Sequence, residues 1–220
     1  MLSASPLQER LIEISASPLK ERLIEISASP LQERPVMREA IFCFPFTFIR
    51  RQVNYNLNFY DVDKEYIKYL KNIEIQNRGF THVPDMEYKG EQKFLCGIVL
   101  KVSNNDYYVP VSSYKEKKQD NILIIFKEDK YNPVKGSLRF NYMFPVPQNL
   151  IKLRVINDEQ NNERKRFLNR QLLFCNEESE KIFNQANRTY TIVTKGLNPN
   201  LIKNSCDFIL LEKACIEYHK

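Results

Sequence analysis

Histidine, tryptophan and paired cysteines are scarce or missing in this 220-residue chain. It has two histidines, His82 and His219, no tryptophan, and five cysteines, none of them spaced as C-x-x-C. Such cysteines indicate neither a zinc site nor a disulfide framework, and they suit a reducing compartment. The sequence also lacks an H-E-x-x-H motif, a P-loop and a dinucleotide-binding fingerprint. We therefore expect no metal and no cofactor.

A long apolar run is missing as well. The longest one covers residues 40–49 and is interrupted by Pro45. A helix that spans a bilayer needs about 20 apolar residues, so this run is too short. Arg50 and Arg51 follow it, whereas a signal peptide carries its positive charges in front. The sequence predicts a cytoplasmic protein without export signal or membrane anchor.

Basic and aromatic residues are plentiful. Lys and Arg number 33 against 27 Asp and Glu, which gives a formal net charge of +6 and a pI near 9.0. This surplus is consistent with a partner that carries phosphate. The chain also has 12 Tyr and 14 Phe. Most of these rings are expected to fill the core, and a few Tyr are expected to stack on unpaired bases.

An internal repeat occupies the N-terminal quarter of the chain. Residues 3–14 read SASPLQERLIEI, residues 15–26 read SASPLKERLIEI, and a third, partial copy follows. Each copy would form a helix of about two turns, and isolated helices shorter than about 12 residues are marginal in water. We expect residues 1–56 to be a disordered leader, or translated sequence from upstream of the natural start. A leader that mediates assembly is the alternative.

The remaining residues, 57–220, are expected to form one domain. Helices are predicted from a cap at Asp63 to about Ile75, from a cap at Asp158 to about Asn176, over 177–195 and over 206–218. Strands are predicted at 58–62, 94–102, 107–111, 122–127, 137–143 and 150–156. Strands come first and helices follow, a pattern typical of an α+β domain built on an antiparallel sheet.

One segment has the residue types for phosphate chemistry. Residues 107–118 read YYVPVSSYKEKK, so a predicted strand ends in Ser112 and Ser113, and Lys115 follows two residues later. Hydroxyls and an ammonium group together can hold a phosphate, as hydrogen-bond donors and as charge. A solvated turn is the ordinary alternative for such a segment.

Six segments in order resemble one known family. The sequence reads YIKYLK at 66–71, GIVL at 97–100, YYVPVSSYK at 107–115, MFPVP at 143–147, QLLF at 171–174 and CDFILLE at 206–212. With similar gaps between them, these segments resemble the type III toxin–antitoxin endoribonucleases, the ToxN/AbiQ family. The resemblance extends over residues 57–220.

The resemblance implies a fold, an activity and a partner. The fold is a strongly curved antiparallel β-sheet, a small barrel-like core, surrounded by about four helices. The activity is metal-independent RNA cleavage that leaves a 2′,3′-cyclic phosphate and a 5′-hydroxyl. The substrates are cellular or phage mRNA. The inhibitor is an antitoxin RNA made of tandem repeats that occupies basic grooves, in some members within a ring of toxin and RNA.

Site residues follow from the same resemblance. Ser112, Ser113 and Lys115 correspond to the hydroxyl-hydroxyl-x-Lys segment at the family's active site, and Lys93 corresponds to a Lys before the GIVL strand. Tyr88 lies near a family Tyr and is expected to bind RNA. The residue types and patterns of the chain, apart from the resemblance, suggest further RNA contacts: Tyr114, Lys117 and Lys118 after the serines, Arg139 and Asn141 by alternation in the predicted strand 137–143, and Arg164 and Lys165 in a basic helix segment. A half-solvated strand and a solvated helix face are the alternatives for the last two groups.

The chemistry is consistent with this assignment. RNA carries its own nucleophile, the 2′-hydroxyl, so the protein must orient the linkage, stabilise the charged phosphorane and move protons. The sequence offers little prospect of a His pair and has no Asp/Glu cluster for two metals, which leaves Lys and hydroxyls. The alternative is a noncatalytic RNA- or DNA-binding domain, which would leave RNA intact in an EDTA-containing cleavage assay.

Overall fold

The computed structural model describes residues 56–88 and 91–218. The repeats lie outside the described residues, so the expected division of the chain after residue 56 stays a prediction. None of the helices in the described ranges is long and apolar enough to cross a membrane.

The fold begins with a strand and a capped helix. β1 spans Asn58–Val62 and α1 spans Lys64–Arg78. Asp63 caps α1, because its carboxylate accepts hydrogen bonds from the backbone N–H groups of Glu65 at 2.8 Å and Tyr66 at 3.3 Å. Gly79 ends the helix in the left-handed conformation, with φ of 77°. The predicted cap is confirmed, and the helix continues past Ile75 to this glycine.

Six further strands form an antiparallel sheet with β1, and two others form a small hairpin. The hairpin strands are β2, Glu87–Tyr88, and β3, Glu91–Gln92; the sheet strands are β4, Leu95–Val102; β5, Asn105–Ser112; β6, Asn121–Ile125; β7, Val134–Arg139; β8, Phe144–Pro145; and β9, Ile151–Leu153. The strand order is β6-β7-β5-β4-β1-β9, and β8 pairs with the start of β5.

The sheet is curled but open. Its register shifts between Gly97 and Leu100 in β4, where an irregularity of this kind bends a strand and increases its twist. The outer strands β6 and β9 do not pair with each other, so in the described residues the sheet does not close into a barrel. The predicted α+β class with a curved antiparallel sheet is confirmed.

The C-terminal part of the domain is helical, as expected. α2 spans Asn162–Glu177, α3 spans Ser179–Thr194, α4 spans Pro199–Lys203 and α5 spans Phe208–Glu217. The cap of α2 is Asn161 rather than Asp158, because Asp158 ends a 3-10 turn just before it. The short α4 was not predicted; Asn198 caps it and Pro199 occupies its first turn.

The strand predicted at 137–143 is present but ends earlier than expected, which changes the position of Asn141. β7 ends at Arg139, and the chain then turns into a 3-10 helix over Phe140–Tyr142. The alternation assumed for Asn141 therefore fails, and its side chain is 2% exposed instead of facing an RNA groove. Its Nδ2 donates to the carbonyl of Asn204 at 2.7 Å, which ties this turn to the end of α4. Asn141 is a packing residue.

Large aromatic side chains fill the core between the sheet and the helices. Tyr66 and Tyr107 are fully buried, and their hydroxyls donate to the carbonyl of Pro145 at 2.9 Å and to Glu212 at 2.7 Å. Burial raises the pKa of both phenols. Cys96 is also fully buried and packs as a small core residue. These rings are structural, so only the remaining aromatic residues are available to contact a partner.

Candidate active-site cleft

The end of β5 lies between two lysine-bearing segments. On one side, the backbone N–H of Val111 donates to the carbonyl of Phe94 at 3.1 Å, next to Lys93. On the other side, Ser112 pairs with Ser137 of β7, and Lys135 lies two residues before Ser137. Antiparallel pairing thus brings lysines that are 42 positions apart in sequence to the same strand end.

Helix α2 closes this strand end into a cleft. The cleft has a volume of about 470 Å³. The lining residues are Gln92, Lys93, Phe94, Val111, Ser112, Ser113, Lys135, Arg164, Phe167, Leu168 and Gln171. The cleft therefore brings together four residues predicted from sequence: both serines, Lys93 and Arg164. Among the described residues its lining carries three cations and no carboxylate.

A local turn orients the two hydroxyls. The Oγ of Ser112 accepts a hydrogen bond from the backbone N–H of Tyr114 at 3.2 Å. This contact fixes the turn directly after the strand, a role common for serine. Ser113 lies between the two bonded residues and is exposed. The turn therefore places Ser113 at the open side of the cleft and Ser112 at its wall.

Hydrogen bonds hold the three cations in place. The Nζ of Lys93 donates to the carbonyl of Asp85 at 2.9 Å. Lys135 forms an ion pair with Asp129, and this contact lowers the pKa of the Asp129 carboxyl to about 2. Arg164 bonds a carboxylate outside the cleft, with 3.1 Å between its Nε and Glu159 Oε2. The positive charge at the cleft is thus positioned before any ligand arrives.

Lys115 lies at the rim rather than in the lining. It is exposed, and its Nζ is 3.4 Å from Oδ1 of Asn132, in the loop before β7. The structure therefore separates Lys115 from the four predicted residues that share the cleft. Lys135 provides a second ammonium group in the lining, which sequence reasoning missed because no motif links Lys135 to the serines.

Gln171 is a second missed residue. It opens the QLLF segment, lines the cleft from α2, and is 3% exposed. Its Oε1 is buried without a hydrogen-bond partner, as is the Oγ of Ser137 opposite Ser112. Such atoms are uncommon in folded proteins and often mark functional positions. The Oδ1 of Asn141 is a third such atom among the described residues, and of the three residues only Gln171 lines the cleft.

Gly136 allows the walls to approach. A Cβ at this position would lie 2.6 Å from the carbonyl oxygen of Ser112 and 3.6 Å from Nε2 of Gln171. Only a glycine lets β7, the end of β5 and α2 meet this closely.

A second cleft adjoins the first. It has a volume of about 580 Å³ and shares Gln92 and Arg164 with the first cleft. Its other described lining residues include Arg154 and Asn161, the cap of α2. The positive charge of Arg164 thus lies at the junction of two adjoining depressions.

The other predicted RNA-binding residues take different positions. Tyr114 and Arg139 face each other, with the guanidinium carbon 5.0 Å from the ring centroid, and Lys118 lies 5.1 Å from the same centroid. The Nζ of Lys117 instead bonds the carbonyl of Asn121 in its own loop. Outside this cluster, Lys165 Nζ donates to Asn157 at 2.9 Å, and Tyr88 lies in β2, paired with Glu91 of β3.

The fold is that of a known class of protein. The family of the toxin ToxN of type III toxin–antitoxin systems matches residues 58–216, well over half of the chain. The chain belongs to this family.

Individual relatives share less than a third of their residues with this chain. Endoribonuclease AbiQ of Lactococcus lactis subsp. lactis is 29% identical over 184 residues, which cover 79% of this chain and 95% of the relative. Endoribonuclease ToxN of Bacillus thuringiensis subsp. kurstaki is 26% identical over 170 residues, which cover 74% of this chain and 84% of the relative.

Two solved structures have a fold similar to that of this chain. A type III toxin–antitoxin structure, described as selective toxin inhibition by a non-coding RNA pseudoknot, has a TM-score of 0.65 and 26% identity, covering 74% of this chain and 98% of that chain. The structure of AbiQ, described as a lactococcal anti-phage endoribonuclease, has a TM-score of 0.62 and 25% identity. The match covers 73% of this chain and 96% of the AbiQ chain.

Proposed function

We propose that this protein is an endoribonuclease toxin of a type III toxin–antitoxin system that acts in abortive infection. The observation that carries the proposal is the cleft at the end of β5, where two serine hydroxyls lie between cations from three parts of the chain. A phosphodiester needs such hydrogen-bond donors and positive charge. The family relationship supports RNA as the bearer of that phosphodiester, because the relatives are named endoribonucleases.

The proposed reaction needs no external nucleophile. The 2′-hydroxyl of the substrate gives up its proton as its oxygen attacks the adjacent phosphorus, the bond to the 5′-oxygen breaks, and that oxygen takes up a proton, so no net proton is consumed. The products are a 2′,3′-cyclic phosphate and a 5′-hydroxyl. Ser112 and Ser113 donate hydrogen bonds to the phosphate, and Lys93 stabilises the charge that builds up on its nonbridging oxygens. Lys115, a long flexible side chain at the rim, reaches the same phosphate when RNA fills the cleft.

Three further residues extend this site. Lys135 and Arg164 contact phosphates on either side of the scissile one, since both line the cleft. Gln171 accepts a hydrogen bond from the sugar or base next to it, which gives its Oε1 a partner. Catalytic metal ions are held by carboxylate, His or Cys side chains, and the described lining of the cleft has none of these, which favours the metal-independent route.

An RNA inhibitor is the proposed partner. A related toxin structure concerns inhibition by a non-coding RNA pseudoknot, and we propose an antitoxin RNA of tandem repeats for this chain. The adjoining second cleft contributes the guanidinium groups of Arg154 and Arg164 for contacts with its phosphates, next to the carboxylates of Glu159 and Glu163. The native complex should contain such an RNA, in a closed ring of toxin and RNA if the assembly resembles that of other family members.

A cleavage assay tests the catalytic proposal. The full chain should cut a labelled single-stranded RNA in the presence of EDTA, and mass spectrometry should find cyclic phosphate ends. Ser113→Ala, Lys93→Ala and Lys115→Ala should each lower the rate by about 100-fold or more, in line with the loss of a preorganised donor or charge. Lys213→Ala, an exposed residue of α5, is the matched control and should cleave normally.

The outcomes separate the two functions considered. Wild-type protein that binds RNA without cutting it would favour the noncatalytic binding domain. Full activity in a Ser113→Ala, Lys93→Ala double variant would move the reaction away from this cleft.

A further inference from the structure

A row of alternating aromatic and cationic side chains extends from the cleft turn across the surface. We call it the aromatic–cation ribbon; its members are Tyr114, Lys118, Arg139, Tyr142, His82 and Phe80. Tyr114 directly follows the two serines of the cleft. Three of the six, Phe80, His82 and Tyr142, carried no sequence signal for RNA binding.

Each member of the ribbon contacts the next. The guanidinium carbon of Arg139 lies 4.1 Å from the ring centroid of Tyr142 and 5.0 Å from that of Tyr114. The rings of Tyr142 and His82 are stacked with centroids 6.0 Å apart, and His82 meets Phe80 edge to face at 5.3 Å. Phe80 is 44% exposed, a high value for a large apolar ring. The ribbon thus presents ring faces and positive charge side by side.

The cations of the ribbon differ from those of the cleft. Lys135 and Arg164 are each paired with a carboxylate. Within the described ranges, Arg139 and Lys118 have no carboxylate within ion-pair distance. A carboxylate near this pair of cations is that of Glu116, which accepts a hydrogen bond from the Tyr114 hydroxyl at 2.6 Å. Two cations held against aromatic rings and outside any ion pair form a site that attracts an anionic ligand.

The buried carboxylate of Glu74 holds the outer end of the ribbon in place. It is 0% exposed and accepts hydrogen bonds from Thr81 Oγ1 at 2.8 Å and from the backbone N–H of His82 at 2.7 Å. The same carboxylate bonds Arg78 at 2.9 Å, and the Arg78 guanidinium backs the ring of Phe80 at 4.6 Å. The rings are therefore preorganised, which lowers the entropy cost of binding.

We propose that the ribbon binds single-stranded RNA on one side of the scissile phosphate, with bases stacked on Phe80, His82 and Tyr142 and phosphates on Arg139 and Lys118. This inference rests on the proposed nuclease function and extends it to the path of the substrate strand. Stacking rings interleaved with cations are the common design of sites for unpaired strands, whereas a duplex hides its base faces. The ribbon therefore makes the protein selective for unpaired RNA.

Binding and cleavage of a single-stranded RNA 12-mer test the proposal. Binding is measured by fluorescence anisotropy with a 2′-fluoro form of the 12-mer, which cannot be cleaved because it lacks the 2′-oxygen nucleophile. The same 12-mer paired with its complement gives the affinity for a duplex. Tyr142→Leu and Arg139→Gln should each weaken single-strand binding by about tenfold, a typical loss for one stacked base or phosphate contact. Tyr142→Phe keeps the ring and should bind normally. Arg188→Gln removes an exposed charge from α3 and is the matched control for Arg139→Gln.

Several results would overturn the ribbon. Normal binding by Tyr142→Leu and Arg139→Gln would do so, as would an equal loss for the duplex. In the cleavage reaction, KM for the 12-mer should rise by about tenfold with kcat nearly unchanged. A loss of binding with unchanged KM would contradict a substrate path. Cleavage activity of wild-type and Ser113→Ala protein, measured alongside, tests the nuclease proposal separately.

Discussion

Replacing Gln171 with Met separates a functional role for its amide from a structural one. The Oε1 of Gln171 is buried without a partner, and an unmatched buried acceptor costs about 1–3 kcal/mol. Met has a similar length and volume and no acceptor, so Gln171→Met removes that cost with little change in packing. We expect the free energy of unfolding to stay the same or rise by about 1 kcal/mol, equivalent to about 2–4 °C in Tm.

RNA cleavage should change in the opposite direction. If the amide bonds the RNA, its loss should lower kcat/KM by about tenfold, the value of one hydrogen bond of about 1.4 kcal/mol. Stability is measured by urea denaturation and cleavage with a labelled oligonucleotide. Gln185→Met is the matched control, because the Gln185 amide donates to Gln119 and Thr189 at 3.1 Å in α3. It should lose up to about 1 kcal/mol of stability and keep full activity.

The opposite pattern would refute this argument. A Gln171→Met variant that is less stable by 2 kcal/mol, or that cleaves RNA at the normal rate, would show that the amide serves the fold and not the ligand.

Three further predictions concern the scaffold of the site. Lys135→Ala should raise the pKa of Asp129 from about 2 toward 3.8, which an NMR titration measures. Because the pKa is depressed in the folded state, the ion pair stabilises the protein above about pH 3.8 and no longer does so once the pH falls through 2. An unchanged titration would refute the ion pair. Gly136→Ala should displace the end of β5, since its Cβ would lie 2.6 Å from the Ser112 carbonyl, and should lower both Tm and cleavage; normal values of both would contradict the close approach. Asp63→Ala should cost about 1 kcal/mol in urea denaturation without changing kcat, and no loss would show that the cap is dispensable.

Local signals in the sequence predicted much of the fold. The strand at 58–62, the cap at Asp63 and the helical C-terminal part follow from side-chain periodicity and capping chemistry, which act over a few residues. The prediction failed at 137–143, where the apolar alternation continues although the backbone turns at Phe140. Asn141 was misplaced for that reason, because period-2 alternation alone does not show where a strand ends.

The sequence by itself determined which chemistry is available: two adjacent hydroxyls after a strand, a basic surplus, and no paired cysteines or His-rich motif. Only the tertiary structure decided which cations share the cleft with those hydroxyls. Lys93, Lys135 and Arg164 meet there because antiparallel pairing on both sides of β5 and the packing of α2 join distant segments. Lys115, nearest in sequence, lies at the rim, and Gln171, 58 positions after Ser113 in the chain, lines the wall. Sheet register and helix packing depend on contacts between residues far apart in the chain, which local patterns do not encode.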